Sequence, residues 1–432
     1  MSMLSDSGDG PLSGVGDIDW RGRVGDGGEQ VPELLAELHH SEDPLEASYA
    51  LAELLNYPAP GHVAAPGVVS YLVRIATDAA TVRPYDVLAL LHEFAAGRPG
   101  DAIPRPRDVQ LWRDEVAWVS GHTVDEATDR YRTWIAEAPT EQRHRRHTTQ
   151  LKALTTGGGA LVAAELATHD AIRERIPRLM RLVHDPVLRN REYVPQEAAN
   201  LFSLFPEEAS RLVPLLRAYE RLSDIPDEDL PSALFAIGVL SDESDARALE
   251  LLESKVFDAD DATSIAAAVG QVHVFGTKVP EHTTEVLLPH LAAPDLDEIF
   301  PSPYADVDDH THLMLTAGLL GERARGAKAD AFGTLCAVWD AEVDATLLVT
   351  DALEFALGPR SQASGDVAPD SVDAHGRQAL AAVATLSPQA WEHSQVSELA
   401  AAWGLPAERD AYVPLFGSDG SEGWVRDGGS GE

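Results

Sequence analysis

Apolar residues return along the chain with the spacing of amphipathic helices. One stripe occupies positions i, i+3, i+4 and i+7: Val31, Leu34, Leu35 and Leu38. This spacing places all four side chains on one helix face. Asp43 and Pro44 then supply an N-cap and a first-turn proline for a second helix, whose apolar stripe runs from Ala47 to Leu55. Two helices joined by a few polar residues predict an αα-hairpin.

The hairpin pattern recurs with a period near 37 residues. First helices begin at residues 31, 68, 176, 212, 248 and 286, so the steps are 37, 108, 36, 36 and 38 residues, and 108 is three times 36. This period lies between the 34 residues of TPR units and the roughly 40–47 of HEAT and armadillo units, and the fixed TPR positions are absent. We predict an all-α fold: a right-handed α-solenoid of HEAT-like helical hairpins, about nine or ten in number. The β-branched run 269–275 is predicted to end a helix.

Three stretches rich in Gly, Asp and Ser divide the chain, because they cannot bury enough apolar surface to order themselves. They predict a disordered leader at residues 1–28, a linker at 358–370 and a disordered tail at 418–432. The repeat solenoid then occupies residues 29–357, and a C-terminal helical cap occupies 371–417.

The net charge and the lack of a targeting signal in the sequence limit the partners and the location that we expect. The chain carries 71 acidic and 33 basic residues, a net charge of −38, which opposes non-specific binding to DNA or anionic lipid. The first residues lack the pattern of a signal peptide, and no apolar run reaches the length of a membrane span. These features predict a cytoplasmic protein that does not bind membranes. The single cysteine, Cys336, lies in an apolar run and is predicted to be a buried thiol.

Short motifs near both ends of the chain match one group of proteins. The matching segments are Asp17–Trp20, Val31–Leu35, Ser41–Asp43, Ala47–Leu55, Val69–Leu72, Leu386–Pro388 and Trp403–Arg409. The chain resembles uncharacterised actinobacterial HEAT-repeat proteins, which often carry His-Gln-Gly-Thr where this chain has Tyr57–Pro60. The resemblance implies a helical repeat fold and no particular activity.

Positive charge is concentrated between residues 143 and 191, where ten basic residues face four acidic ones. Three tryptophans precede this region in the sequence. If it is a binding surface, the candidate binding residues are Arg143, Arg145, Arg146, Arg178, Arg181, Trp112, Trp118 and Trp134. Arginine pairs with carboxylates and phosphates alike, so an acidic protein or a nucleic-acid backbone would fit. The favoured interpretation is that the arginines pair with neighbouring acidic helices and that the tryptophans form a divergent core.

Negative charge dominates residues 220–310, with 21 acidic residues against four basic ones. Short acidic blocks fall where helices are expected to start: Asp227–Asp229, Asp242–Glu243 and Asp258–Asp261. Carboxylates there cap free N–H groups and complement the helix dipole. Any carboxylates left over would form a nucleic-acid mimic or a docking face for a basic protein.

No residue set predicts catalysis. Gly157–Gly159 lacks the Gly-Lys-Ser/Thr of a phosphate loop and is predicted to be a hairpin turn. His92–Glu93 is a single His-Glu pair, too few ligands for a dinuclear iron site. Asp306–His312 combines carboxylates with two histidines, but an acidic helix N-cap explains it more simply. We therefore predict no catalytic residue, no metal and no cofactor.

The functional prediction follows from the repeat architecture and the missing catalytic set. It is a non-catalytic protein–protein interaction scaffold, of which an immunity or antitoxin-like binder of a basic partner is a specific version. The alternative is a nucleic-acid-binding or DNA-repair HEAT-like protein that uses the Arg-rich segment 143–191. The total charge disfavours a nucleic-acid partner.

Overall fold

A computed structural model describes residues 10–96, 109–222, 229–293, 296, 309–338, 345–360, 371–393 and 395–417. Over these ranges the chain forms helices and turns and contains no strand, which confirms the all-α prediction. The chain divides into two compact units. The first comprises residues 1–137, 142–287 and 295–320, and the second comprises 138–141, 288–294 and 321–432. None of the described helices is both long and apolar enough to cross a bilayer.

The first unit contains eighteen of the described α-helices. The first eight are α1 (Trp20–Val24), α2 (Val31–His40), α3 (Leu45–Leu55), α4 (Ala65–Ala76), α5 (Pro84–Ala96), α6 (Val109–Ser120), α7 (Val124–Ala136) and α8 (Glu141–Arg173). Three single turns follow: α9 (Ile176–Leu179), α10 (Arg181–His184) and α11 (Pro186–Arg189). The last seven are α12 (Val194–Phe202), α13 (Ala209–Glu220), α14 (Leu230–Leu240), α15 (Ala246–Lys255), α16 (Asp261–Phe275), α17 (Glu281–Leu287) and α18 (Asp309–Gly318). Helix α16 contains the whole run 269–275, which confirms that this run ends a helix.

Part of the predicted leader is ordered. Residues 15–17 form a 3-10 helix, and Trp20, which begins α1, is 2% exposed. Its indole Nε1 donates to the carbonyl of Val15 at 2.9 Å, and its ring packs edge-on against Tyr71. The prediction of disorder is therefore wrong for residues 10–28, because one large aromatic side chain buries enough surface to order a glycine-rich segment. The remainder of the predicted leader, residues 1–9, lies outside the described residues.

Helices in the first unit pack in a recurring order. Helix α4 packs on α5, α5 on α12, α12 on α14, and α14 on α16, while α13 and α15 flank α14. Because α5 packs directly on α12, the 108-residue step in the repeat is not filled by two further hairpins stacked between them. Helices α6, α7 and α8 occupy that stretch of sequence instead.

Helix α8 is folded back on itself at Gly158, whose φ is 69° and ψ is −168°. Gln150 Nε2 donates to Glu165 Oε2 at 2.6 Å, although the two residues are 15 positions apart. In a straight helix they would be about 22 Å apart, so the two halves must be antiparallel. The hairpin turn predicted at Gly157–Gly159 is confirmed, and glycine is needed there because φ is positive.

Helices α14 and α16 cross at two glycines. A Cβ on Gly238 would lie 2.1 Å from the Cα of Gly270, so the two backbones touch with no side chain between them. Residues 231–240 are all buried, because α14 is covered on several sides by α12, α13, α15 and α16. Small residues permit this close approach, which larger side chains would prevent.

The second unit contains six of the described α-helices. They are α19 (Arg325–Val338), α20 (Thr346–Leu357), α21 (Ala374–Ala384), α22 (Pro388–His393), α23 (Val396–Ala402) and α24 (Arg409–Phe416). Helix α21 packs on α19, α20 and α24, and its Leu380 is fully buried. The longest continuous part of the second unit begins at Gly321, and the linker predicted at 358–370 falls within that unit. Residues 361–370 and 418–432, in the predicted linker and tail, lie outside the described residues.

Candidate protein-binding surface

The three candidate tryptophans pack in or against the core of the α6–α8 region. Trp112 is 3% exposed, and Trp118 and Trp134 are partly buried against the same core cluster. Trp134 contacts Trp118 edge-on, with ring centroids 5.8 Å apart, and stacks on His147 at 5.5 Å. The structure therefore brings the three tryptophans together as a divergent core.

Arg146 is held inside the same region by a buried carboxylate. Its Nη1 lies 3.8 Å from Glu165 Oε1, and these two side chains are 14% and 2% exposed. The guanidinium also lies over the Trp112 ring, 5.0 Å from its centroid. A charge removed from water in this way needs its partner, so Arg146 stabilises the fold.

A hydrogen-bonded network surrounds that ion pair. Tyr57 donates to Gln150 at 2.5 Å, and Gln150 donates in turn to Glu165. Tyr131 donates to Glu115 Oε1 at 2.9 Å. Burial raises the pKa of Glu115, and the charge of Arg146 and the Tyr131 hydrogen bond oppose that shift only in part. The network satisfies polar groups that sequence reasoning could not pair, because their partners lie far apart along the chain.

Other arginines of segment 143–191 also have partners within the first unit. Arg178 Nε donates to Thr77 Oγ1 at 2.8 Å, and Arg181 Nη2 lies 3.2 Å from Asp185. The guanidinium of Arg191 donates to the carbonyls of Ala79 and Val82. Arg173 and Arg175 pair with Glu207 and Glu174. Arg178 and Arg181 lie on the separate single turns α9 and α10.

Two of the three exposed cations of this segment lie on the first half of α8, and the third, Arg181, lies on α10. Arg143 and Lys152 are exposed and Arg145 is half-buried, and residues 142–164 include no acidic side chain. Of the predicted arginines, Arg143 and Arg181 are exposed, Arg145 and Arg178 are half-buried, and Arg146 packs against the core. The structure does not gather the five predicted arginines into one surface.

Carboxylates of residues 242–285 serve partly as helix caps, as predicted. Asp245 accepts from the Ala248 amide at 3.0 Å, and Asp260 accepts from the Thr263 amide at 2.8 Å. Lys255 pairs with Asp258 and Lys278 with Glu243. This stretch holds ten acidic and three basic residues, so many carboxylates remain. Asp227 and Glu228 lie outside the described residues.

An exposed aromatic ring lies between the acidic helices α15 and α16 in sequence and contacts α17. Phe257, in the turn after α15, is 69% exposed, and its ring centroid is 5.1 Å from that of His282 on α17. His282 Nε2 lies 3.1 Å from Glu253 Oε1, so α15 and α17 meet at this point. We define the acidic face by these residues: Glu250, Glu253, Phe257, Asp258, Asp261, Glu281 and Glu285. The sequence predicted the charge of this face, but nothing in it marked Phe257 as exposed.

Four members of the acidic face make no side-chain hydrogen bond or ion pair with any described residue: Glu250, Asp261, Glu281 and Glu285. All four are exposed. Like charges that are left unneutralised repel one another. The acidic face can therefore bind positively charged groups of a partner.

Among the remaining sequence candidates, His92, His312 and Cys336 are buried. Burial lowers the pKa of His92 to about 4, and Glu93 accepts a hydrogen bond from Asn56 at 3.1 Å. Burial also lowers the pKa of His312 to about 3, while Asp306–Asp308 of the same motif lie outside the described residues. Cys336 is 1% exposed, and burial raises its pKa to about 12, which confirms the prediction of a buried thiol. Within the described ranges, no three or more His, Cys, Asp or Glu side chains are grouped so as to hold a metal ion.

Comparison of the chain with protein-family models, with curated proteins and with solved structures found no match. The resemblance to actinobacterial HEAT-repeat proteins therefore stays a prediction.

Proposed function

We propose that this chain is a non-catalytic protein-binding scaffold that recognises a basic partner through the acidic face. The exposure of Phe257 among uncompensated carboxylates carries the proposal. Binding hot spots combine an aromatic anchor with a surrounding rim that excludes water. An arginine of the partner would lie over the Phe257 ring and pair with a carboxylate of the acidic face that has no described partner.

We further propose that the first unit is a HEAT-like, right-handed solenoid into which α6–α8 are inserted. The packing order α4, α5, α12, α14 and α16 supports stacked hairpins, since each of these helices contacts the next. Such scaffolds present long surfaces and stay rigid because each hairpin covers its neighbour. An immunity or antitoxin-like role would use the acidic face to cover the phosphate-binding site of a basic nuclease.

The test measures binding of fluorescent arginine-rich peptides to the full chain by anisotropy. A glutamate-rich peptide of equal length serves as the negative probe. We expect the basic peptide to bind and Phe257→Ala to weaken binding about tenfold, the cost of losing one aromatic anchor. Tyr49→Ala is the matched control, because Tyr49 is 67% exposed but lies on α3. Equal losses in the two variants would refute the role of the acidic face.

In the nucleic-acid alternative, two of the predicted binding residues pack in or against the core. Trp112 lies in the core and cannot stack on a base, and Arg146 is bound to Glu165. Arg143 and Lys152 on α8 and Arg181 on α10 are exposed. A duplex DNA probe in the same experiment tests this alternative. Duplex binding that outcompetes the basic peptide and is lost on Arg143→Ala with Lys152→Ala would favour it over protein binding.

A further inference from the structure

Two adjacent histidines end helix α2 beside a carboxylate. His39 is 6% exposed and His40 is exposed, and the turn after α4 brings Asp78 against them. The Val82 amide donates to the His39 carbonyl at 3.3 Å, which anchors that turn to the end of α2. The site lies in the first unit and is independent of the acidic face.

The two imidazoles present their nitrogens side by side. His39 Nδ1 and His40 Nε2 are 3.1 Å apart, while the ring centroids are only 4.0 Å apart with the planes at 53°. An in-line N–H···N bond of this length would place the centroids farther apart, since each would lie a ring radius beyond its nitrogen. The contact is therefore a poorly aligned hydrogen bond, because good alignment needs a nearly straight N–H···N angle.

Asp78 fixes which nitrogen of His39 is free to accept. Asp78 Oδ2 lies 3.2 Å from His39 Nε2, so neutral His39 carries its proton on Nε2 and keeps a lone pair on Nδ1. Metal-bound histidines commonly donate their other ring N–H to a carboxylate in this way. Burial lowers the pKa of His39, the charge of His40 lowers it further, and Asp78 opposes both.

We propose that His39 Nδ1 and His40 Nε2 chelate a divalent transition-metal ion, with Asp78 orienting His39. Two metal–nitrogen bonds of about 2.05 Å across a 3.1 Å gap enclose an angle of about 100°, between square-planar and tetrahedral values. Solvent completes the coordination, since no third protein ligand is grouped with this pair in the described residues. Imidazole suits Cu²⁺ and Zn²⁺, and Cu²⁺ should bind more tightly. The net charge of −38 attracts the cation.

The experiment uses the full chain freed of metal by a chelator and titrated with CuCl₂ and ZnCl₂ at neutral pH. Calorimetry counts the equivalents bound, and electron paramagnetic resonance of the Cu²⁺ sample reports coordinated imidazole nitrogen. We expect His40→Ala to remove the tightest equivalent and its two-nitrogen signature. Asp78→Asn should weaken that equivalent roughly 10- to 100-fold, as carboxylates that orient metal-bound histidines do.

His122→Ala is the matched control, because His122 is exposed but its Nδ1 contacts the Trp118 carbonyl at 2.7 Å, away from any other histidine named here. It should leave the tightest equivalent unchanged. His40 is exposed, so its replacement should not unfold the chain, and circular dichroism checks this. If His40→Ala binds the same number of equivalents with the same affinity as the wild type, the proposal is overturned.

Discussion

Segment 143–191 has an excess of positive charge and the acidic face an excess of negative charge. The two regions differ in how far other parts of the chain pair with that charge. The arginines of the segment largely point inward or along the surface to partners: Arg146 to Glu165, Arg178 to Thr77 and Arg191 to backbone carbonyls. The acidic face instead leaves four carboxylates without a described partner. An excess of charge in a sequence therefore indicates a binding surface only when neighbouring elements do not neutralise it.

The largest expected effect concerns the arginine that lies deepest. Arg146→Met keeps the apolar stem but leaves Glu165, 2% exposed, as an uncompensated buried charge. We expect the free energy of unfolding, measured with urea, to fall by about 3–5 kcal/mol. Lys152→Met, an exposed position on the same half of α8, should change it by less than about 0.5 kcal/mol. Equal, small effects would show that Arg146 is available for binding instead.

An effect of intermediate size is expected at Glu207, which pairs with His169 and Arg173 of segment 143–191. Burial raises the pKa of Glu207, but the hydrogen bond and charge of His169 and the bond from Arg173 outweigh it and lower the pKa to about 2. The carboxylate therefore contributes stability that is complete above its unfolded pKa of 4.5 and is lost as pH falls toward 2. This loss should amount to about 3 kcal/mol at most.

Denaturation curves between pH 6 and pH 2.5, values chosen to bracket that window, check this expectation. Glu207→Gln should be less stable than the wild type at pH 6, and the difference should shrink on acidification. Glu250→Gln, on the acidic face, is the control for removing an exposed carboxylate that has no described partner. A constant difference between Glu207→Gln and wild type would contradict the assigned pKa.

The smallest effect is expected on the acidic face. Glu250→Gln combined with Glu285→Gln removes two charges that gain nothing from the fold and repel their neighbours. The free energy of unfolding should rise by about 0.5 kcal/mol or less at low salt, and the gain should vanish in 1 M NaCl, where the Debye length is about 3 Å. A loss of stability would mean that these carboxylates have structural partners, as the arginines do.

Local patterns predicted the helices well because a 3.6-residue period reports which face of a segment is buried. Val31, Leu35 and Leu38 are all buried on α2, as their spacing requires. The same reasoning could not count the hairpins, since nothing local shows that α5 packs on α12 and that α6–α8 lie outside that stacking order. It also treated residues 10–28 as disordered, because the burial of Trp20 depends on Tyr71 some fifty positions later.

By itself, the sequence determined the all-α class, the turn at Gly158, the buried state of Cys336 and the excess of each charge. These follow from spacing, glycine conformation and composition, which act over a few residues. Only the tertiary structure decided where the charges point, that Phe257 is exposed, and that Asp78 meets His39. Those outcomes depend on which distant segments exclude water from each other, and the order of residues along the chain does not record that.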